Sequence, residues 1–258
     1  MLKRFTTDFT VAGIENIDAD YILLKLQHPD KLPEINAGQF AEVRIPDTAK
    51  TFLRRPISIE DVDYENNTIS LLIKMIGNGT RLLGSLRRGD SVNLVYPLGN
   101  GFSIEKAGSR PLLIGGGVGI APMMYLGRKL LENGAQPEFL FGARNAGGLL
   151  LLSEFEKLGR VNVTTEDGSV GTRGFVTNHK VLTDSISSYT SLLVCGPTPM
   201  MKAVAALAKA AGVSCEVSLE NKMACGIGVC LCCVTDTTEG HKCVCSDGPV
   251  FDIKQLKW

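Results

Sequence analysis

Six cysteines crowd the C-terminal end of this chain, and thiols so spaced bind metal. The 258 residues hold eight cysteines. Cys195 and Cys215 stand apart, while Cys225, Cys230, Cys232, Cys233, Cys243 and Cys245 fall together. An even count fits disulfides, but the opening MLKRFTTDFT lacks the apolar stretch of a secretory signal. That reads as a cytoplasmic chain, where thiols stay reduced. Cys225-x4-Cys230-x2-Cys233 is the run that supplies three of the four thiolates of a 2Fe–2S cluster. Between them, Gly226-Ile227-Gly228-Val229 lets backbone N–H groups turn toward sulfur. The fourth thiolate must come from Cys232, Cys243 or Cys245. Cys232 is adjacent to Cys233 and reaches one iron pair poorly; between Cys243 and Cys245 spacing does not decide. Zinc is the rival occupant, on Cys230-x2-Cys233 with Cys243-x-Cys245, although zinc ribbons usually pair two C-x2-C knuckles.

Two further segments have the composition of phosphate sites. Gly115-Gly116-Gly117-Val118-Gly119-Ile120-Ala121-Pro122 lies between an apolar run and a helical pattern, where helix N–H groups meet a nucleotide phosphate. It does not match G-x-G-x-x-G/A literally, and a tight ligand-free turn is the plainer alternative. Cys195-Gly196-Pro197-Thr198-Pro199-Met200 repeats the strand-to-helix context, although a lone Cys195 is more often a core residue. Earlier, Arg54-Arg55-Pro56-Ile57-Ser58 offers a guanidinium for a pyrophosphate and a hydroxyl for a flavin ring. Gly77-Asn78-Gly79-Thr80 adds amides before a short helix over 81–87, with Thr80 as its N-cap. Standing alone, an arginine pair would be an ordinary solvated rim.

The elements that must position these residues change character along the chain. Up to about residue 100, β-branched runs at 9–17, 21–26, 41–45, 57–62, 68–76 and 91–96 alternate with turn signals. Six strands so spaced predict a small antiparallel β-barrel. Beyond Gly108, strands at 111–114, 137–141, 161–165, 191–195 and 215–219 alternate with helices to about 131, around 149–158 and over 200–211. That order predicts a doubly wound α/β parallel sheet. The expected division is 1–102, 103–214 and 215–258, the last a small cluster segment. Hydrophobic residues at 44% and charged residues at 21% exclude a disordered chain. Lys+Arg and Asp+Glu number 27 each, so net charge gives no reason to expect nucleic acid or an anionic membrane. The longest uncharged stretch, between Arg110 and Arg128, is broken by glycines and Pro122, short of the ~20 apolar residues of a membrane helix.

Together these motifs resemble the ferredoxin reductase family of flavoproteins: an R-x-x-S motif in a barrel, then GGGxGxAP and CGP. The tail is more particular. Asn221–Cys233 followed by Val244-Cys245-Ser246-Asp247-Gly248-Pro249-Val250-Phe251 is similar to the electron transfer subunits of dihydroorotate dehydrogenase B. The resemblance implies FAD on Arg55, Pro56, Ile57 and Ser58, on Leu72, Ile73 and Lys74 of the facing strand, and on Gly79 and Thr80. It implies a nicotinamide cofactor on Gly115, Gly116, Gly117, Gly119, Cys195, Gly196 and Pro197, and NAD rather than NADP, which Arg144 alone does not settle. The 2Fe–2S cluster would sit on Cys225, Cys230, Cys233 and Cys245, the fourth ligand in that family preceding DGPVF. Cys232 and Cys243 depart from the pattern. The implied role is electron relay in pyrimidine biosynthesis, with no catalytic acid or base of its own. The implied partner is an FMN-containing catalytic subunit that oxidises dihydroorotate, two of each chain. The alternatives are a related subunit coupling NAD(P)H to ferredoxin or sulfur, and a zinc-containing binding module.

Overall fold

The computed structural model describes residues 3–46 and 51–258. The first sheet takes its strands from β1 (Phe5–Asp18), β2 (Tyr21–Gln27), β3 (Phe40–Val43), β4 (Arg55–Ser58), β5 (Asp61–Asp63), β6 (Thr68–Lys74) and β7 (Ser91–Leu98). Its order is β4-β3-β7-β1-β2-β6-β5, with every pairing antiparallel. Alternation drives the closure: Phe9, Val11, Leu24, Leu26, Ile69 and Leu71 all point into one fully buried core.

Seven strands replace the six expected because the run over 57–62 is broken. At Ile59 the N–H donates to the Gln39 carbonyl (3.1 Å), and at Glu60 to the Ser70 carbonyl (2.8 Å). One continuous segment therefore leaves the β3 side and joins the β6 side, bringing the two ends of the sheet together as β4 and β5. The short helix also starts earlier than expected: α1 is Asn78–Gly84, capped by Gly77. Thr80 closes its first turn from inside, its hydroxyl accepting from the Gly77 N–H and donating to the Gly77 carbonyl, each at 3.1 Å.

The second sheet alternates with helices as the pattern predicted: β8 (Pro111–Gly116), α2 (Ala121–Glu132), β9 (Glu138–Ala143), α3 (Leu152–Glu156), β10 (Val161–Thr165), β11 (Thr172–Arg173), α4 (Lys180–Thr183), β12 (Ser191–Cys195), α5 (Thr198–Ala211) and β13 (Ser214–Ser218). The helix expected over 149–158 shrinks to α3, because Leu151 turns left-handed (φ 55°) just before it. Strand order is β11-β10-β9-β8-β12-β13, all parallel, and reverses direction between β8 and β12. β13 lies along β12, so the strand that a division at 214/215 would give to the tail is part of this sheet.

The tail adds a hairpin, β14 (Val234–Thr237) with β15 (Gly240–Cys243), and an antiparallel edge strand, β16 (Val250–Asp252), against β13. It is tied to both sheets. Asn100, just past β7, donates its N–H to the Gly248 carbonyl (2.6 Å), and Leu219 donates to the Pro249 carbonyl (2.8 Å). Gly99 makes the first tie feasible: at φ +73° a Cβ there would lie 2.5 Å from Pro249 Cδ. Among the described residues, no helix is long and apolar enough to cross a membrane.

Candidate functional site

The barrel rim separates the arginine pair. The Arg54 guanidinium folds onto the outer face of the sheet, donating to the Glu42 carbonyl (3.2 Å) and the Asn93 carbonyl (3.0 Å). Arg55 turns the other way, its Nη1 donating to the Leu53 carbonyl at 2.9 Å. Its guanidinium lies on the bare face of Gly79, where an added Cβ would be 3.0 Å from Nε. A planar cation and the amides of a helix start thus meet at one point, which suits a pyrophosphate. Facing it, Leu72 and Ile73 are buried, so their side chains are committed to the core. β5 pairs only with Thr68–Ser70 of β6, which leaves the backbone edge of Leu72–Lys74 free of that ladder and facing β4. The Lys74 ammonium sits over the Tyr21 ring (5.4 Å).

In the second sheet the glycine turn and the Cys195 turn pack into each other at the point where strand order reverses, the place open α/β sheets use for ligands. A Cβ on Gly119 would be 2.4 Å from the Cys195 carbonyl oxygen, and one on Gly116 would be 2.9 Å from Pro197. Gly117–Ile120 forms a single 3-10 turn that leads into α2, with Pro122 in its first turn. Burial pushes the Cys195 thiol up to about 12 against a hydrogen bond with Ser218, so it stays neutral. The 117–120 turn also touches β6, and Tyr125 of α2 donates its N–H to the Glu60 carbonyl (3.0 Å). Arg128 of α2 pairs with Asp61. These contacts set the glycine turn beside the barrel edge at β6.

The cysteine loop crosses the outer face of the barrel. Its sulfurs are met by backbone donors: Ile227 and Cys230 N–H on Cys225 Sγ (3.4 and 3.5 Å), Gly228 N–H on Cys245 Sγ (3.1 Å), and Cys245 N–H on Cys233 Sγ (3.4 Å). Burial would raise the Cys225 thiol, but the N–H groups of Ile227, Cys230 and Val229 hold it down to about 6, in thiolate range. Cys245 is buried, and burial with the neighbouring Cys233 pushes it up to about 12. Cys230 and Cys232 are exposed.

Cys243 differs from Cys245 in what its backbone does. It closes the β14–β15 hairpin opposite Val234, and its N–H donates to Asp247 Oδ2 (2.7 Å). Among the described residues, no three His, Cys, Asp or Glu side chains stand in the close array that holds a metal ion; drawing thiolates together is work the metal itself does on binding. The donor chemistry nonetheless fits iron and sulfide: soft thiols with N–H groups aimed at sulfur, in a loop whose glycines admit close approach.

One residue escaped the sequence reading. Glu42 lies on β3 opposite Pro56 of β4 and Val95 of β7, beneath Gly226 of the loop. The signal was a lone acid in the apolar strand Phe40–Val43, whose period-two pattern puts Phe40 and Glu42 on one face. Which loop covers that face is a long-range fact.

With this geometry in view, family profiles match in the same three places. An oxidoreductase FAD-binding domain covers residues 8–102, an oxidoreductase NAD-binding domain 113–206, and the iron–sulfur cluster binding domain of dihydroorotate dehydrogenase B 220–257. A relative from Caldanaerobacter subterraneus, named dihydroorotate dehydrogenase B (NAD(+)) electron transfer subunit, is 43% identical over 223 residues, 85% of this chain and 86% of its own. The relative of the same name from Clostridium perfringens is 38% identical over 95% of each chain. The chain belongs to the family of dihydroorotate dehydrogenase B electron transfer subunits. It is thus a flavoprotein of oxidoreductase type with FAD-, NAD- and iron–sulfur-binding domains. Among solved structures, it is similar to that of the NADH-dependent reduced ferredoxin-NADP oxidoreductase, with a TM-score of 0.86 and 30% identity over 97% of this chain and 90% of that one. The Amycolatopsis cytochrome P450 reductase GcoB is similar over 82% of this chain and 67% of its own, with 25% identity and a TM-score of 0.71. The family match favours iron–sulfur over zinc in the tail.

Proposed function

We propose that this chain is the electron relay of an NAD-dependent dihydroorotate dehydrogenase, working beside an FMN-containing catalytic subunit, two of each chain, in pyrimidine biosynthesis in the cytoplasm. The observation that carries the reading is adjacency. The cysteine loop lies on the outer face of β3, β4 is the next strand, and the glycine turn of the nucleotide sheet touches β6 across the barrel rim.

In this reading Cys225, Cys230, Cys233 and Cys245 hold the cluster. Arg55, Gly79 and Thr80 hold the FAD pyrophosphate, while Pro56, Ile57, Ser58 and the edge of Leu72–Lys74 hold its ring. Gly115, Gly116, Gly117, Gly119 and the Cys195–Pro197 turn hold NAD. A cluster carries single electrons, a nicotinamide takes only hydride, and a flavin handles both, so the three together convert one currency to the other. The protein's own contribution is to bind, space and orient; no paired acid and base are required.

The partner would dock where electrons must enter. Around the exposed Cys230, Val229 is 75% and Leu231 64% exposed, and Phe52 stands 89% exposed. Between Phe52–Arg54, the barrel wall and the loop at Ala224–Ile227 runs an open groove of about 560 Å³. Apolar side chains presented to solvent around a redox centre suit a protein interface.

The test is anaerobic co-purification from native cells, then assay with dihydroorotate and NAD⁺. Co-purification of an FMN protein and dihydroorotate-dependent NADH formation are expected. A chain that isolates alone and reduces ferredoxin from NAD(P)H would move it to the second reading.

A further inference from the structure

Of the described residues, two carboxylates are buried, Glu42 and Glu60, and Glu42 lies between the proposed flavin strand and the cysteine loop. It is 1% exposed, and neither carboxylate oxygen has a hydrogen-bond partner among the described residues. The adjacent Arg54 does not relieve it, because that guanidinium bonds the carbonyl of Glu42 and the backbone and side chain of Asn93. Gly226 closes the site from above: a Cβ there would be 2.6 Å from Glu42 Cγ and 3.1 Å from Oε1. Burial pushes the carboxyl up to about 7 against the pull of Arg54; the neighbouring Cys225 raises it and Arg55 lowers it.

A carboxyl in such a place is poor structural material. A buried acid stabilises a fold only when its oxygens are bonded, and replacing an unpaired one by a neutral side chain is usually neutral or stabilising. Glu42 makes no bond that would anchor the loop. What it does is place a carboxylate directly under the loop of Cys225. Net charge is one of the terms that set the potential of an iron–sulfur cluster, and this carboxylate packs against Gly226, the residue next to Cys225. We propose that Glu42 is a positioning residue for electron transfer, its buried carboxylate holding the cluster of the overlying loop at low potential so that electrons move on toward the flavin strand. The inference rests on the cluster assignment made above.

The test compares wild type, Glu42→Gln and Glu42→Asp as loaded proteins. The cluster's midpoint potential is read by an EPR-monitored redox titration in mildly alkaline buffer. Glu42→Gln, which keeps shape and loses charge, should raise the midpoint. Glu42→Asp should hold it near wild type. Iron and flavin contents should be unchanged, and the apparent Tm of Glu42→Gln should be no lower than that of wild type. An unmoved midpoint in Glu42→Gln would overturn the proposal, as would an equal rise in both variants, because charge would then not be the cause. Failure of Glu42→Gln to fold or to load iron would also overturn it, by making the carboxyl a structural anchor. A wild-type chain that binds no iron would instead remove the cluster assignment.

Discussion

The proposed flavin rim and the cysteine loop are held in shape by different forces. The rim rests on ladders: every residue from Arg55 to Ser58 is paired with β3, and Leu72 and Ile73 are fixed by the buried core. The loop has almost no regular pairing before β14. Its course depends on left-handed Gly226, Gly228 and Leu231 (φ 66°, 84° and 58°) and on single N–H contacts to sulfur. Hydrophobic burial makes the rim whether or not its ligand is present. For the loop, binding free energy of the metal is part of the folding free energy. Two sites one strand apart should therefore respond oppositely to loss of their ligands.

The largest effect expected follows from that contrast. Cys230→Ala should abolish the cluster outright, with iron near zero and the EPR signal of the reduced protein lost, while FAD stays bound. Cys243→Ala should keep both iron and signal. A full signal in Cys230→Ala would remove that residue from the ligand set, and loss of iron in Cys243→Ala would move the fourth ligand from Cys245 to Cys243.

The rim is tested through Arg55, the residue proposed to bind the FAD pyrophosphate. Charge-assisted hydrogen bonds contribute roughly 1.5–3 kcal/mol each, so Arg55→Ala should weaken FAD binding roughly ten- to hundredfold. Flavin should be lost on gel filtration while the cluster remains. Flavin content equal to wild type would take Arg55 out of the pyrophosphate site. Lysine in its place should recover only part of the affinity, because one ammonium cannot reproduce the planar fork.

The same contrast explains what could be read from the sequence. The barrel and the doubly wound sheet were legible because each strand carries its period locally, as in the Tyr21–Gln27 and Leu112–Ile114 runs. Cysteine spacing was legible because ligands on one short loop are local too. What stayed hidden depends on distant partners. The run over 57–62 breaks because Gln39 and Ser70 claim successive amides, and Thr80 was misplaced as a cap because Gly77 already opens the helix. Arg54 and Arg55 look alike in sequence, and only Asn93 on one side and Gly79 on the other separate them. Glu42 was invisible because the face it occupies is covered by residues far along the chain.

A smaller effect is expected at the glycine turn proposed to hold NAD, which resembles the rim in being preformed. Gly119→Ala would drive a methyl to within 2.4 Å of the Cys195 carbonyl oxygen, a backbone atom that cannot swing aside. Overpacking of this kind costs roughly 1–3 kcal/mol. Spread between the two turns, it should raise KM for NAD⁺ roughly tenfold and leave the flavin and cluster spectra unchanged. An unaltered KM would show that the two turns do not act together in holding the nucleotide.

The smallest effect concerns the joint between barrel and nucleotide sheet. Glu60 is buried there, and burial together with the Asp61 charge raises its carboxyl to about 8 from an ordinary 4.5, against the opposing pull of Lys25 and Arg128. Between those two values the folded chain holds a proton that the unfolded chain has released. Its stability contribution is therefore present below about 4.5, declines as pH rises, and is fully lost above about 8. Glu60→Gln carries no titrating proton, so its unfolding temperature should fall less steeply over the same range. At about pH 8 the variant should unfold above wild type, and below about pH 4.5 the two should coincide. Calorimetry on the loaded protein reads this directly. Parallel slopes in the two proteins would assign the pH dependence to other groups and leave Glu60 as a passive part of the joint.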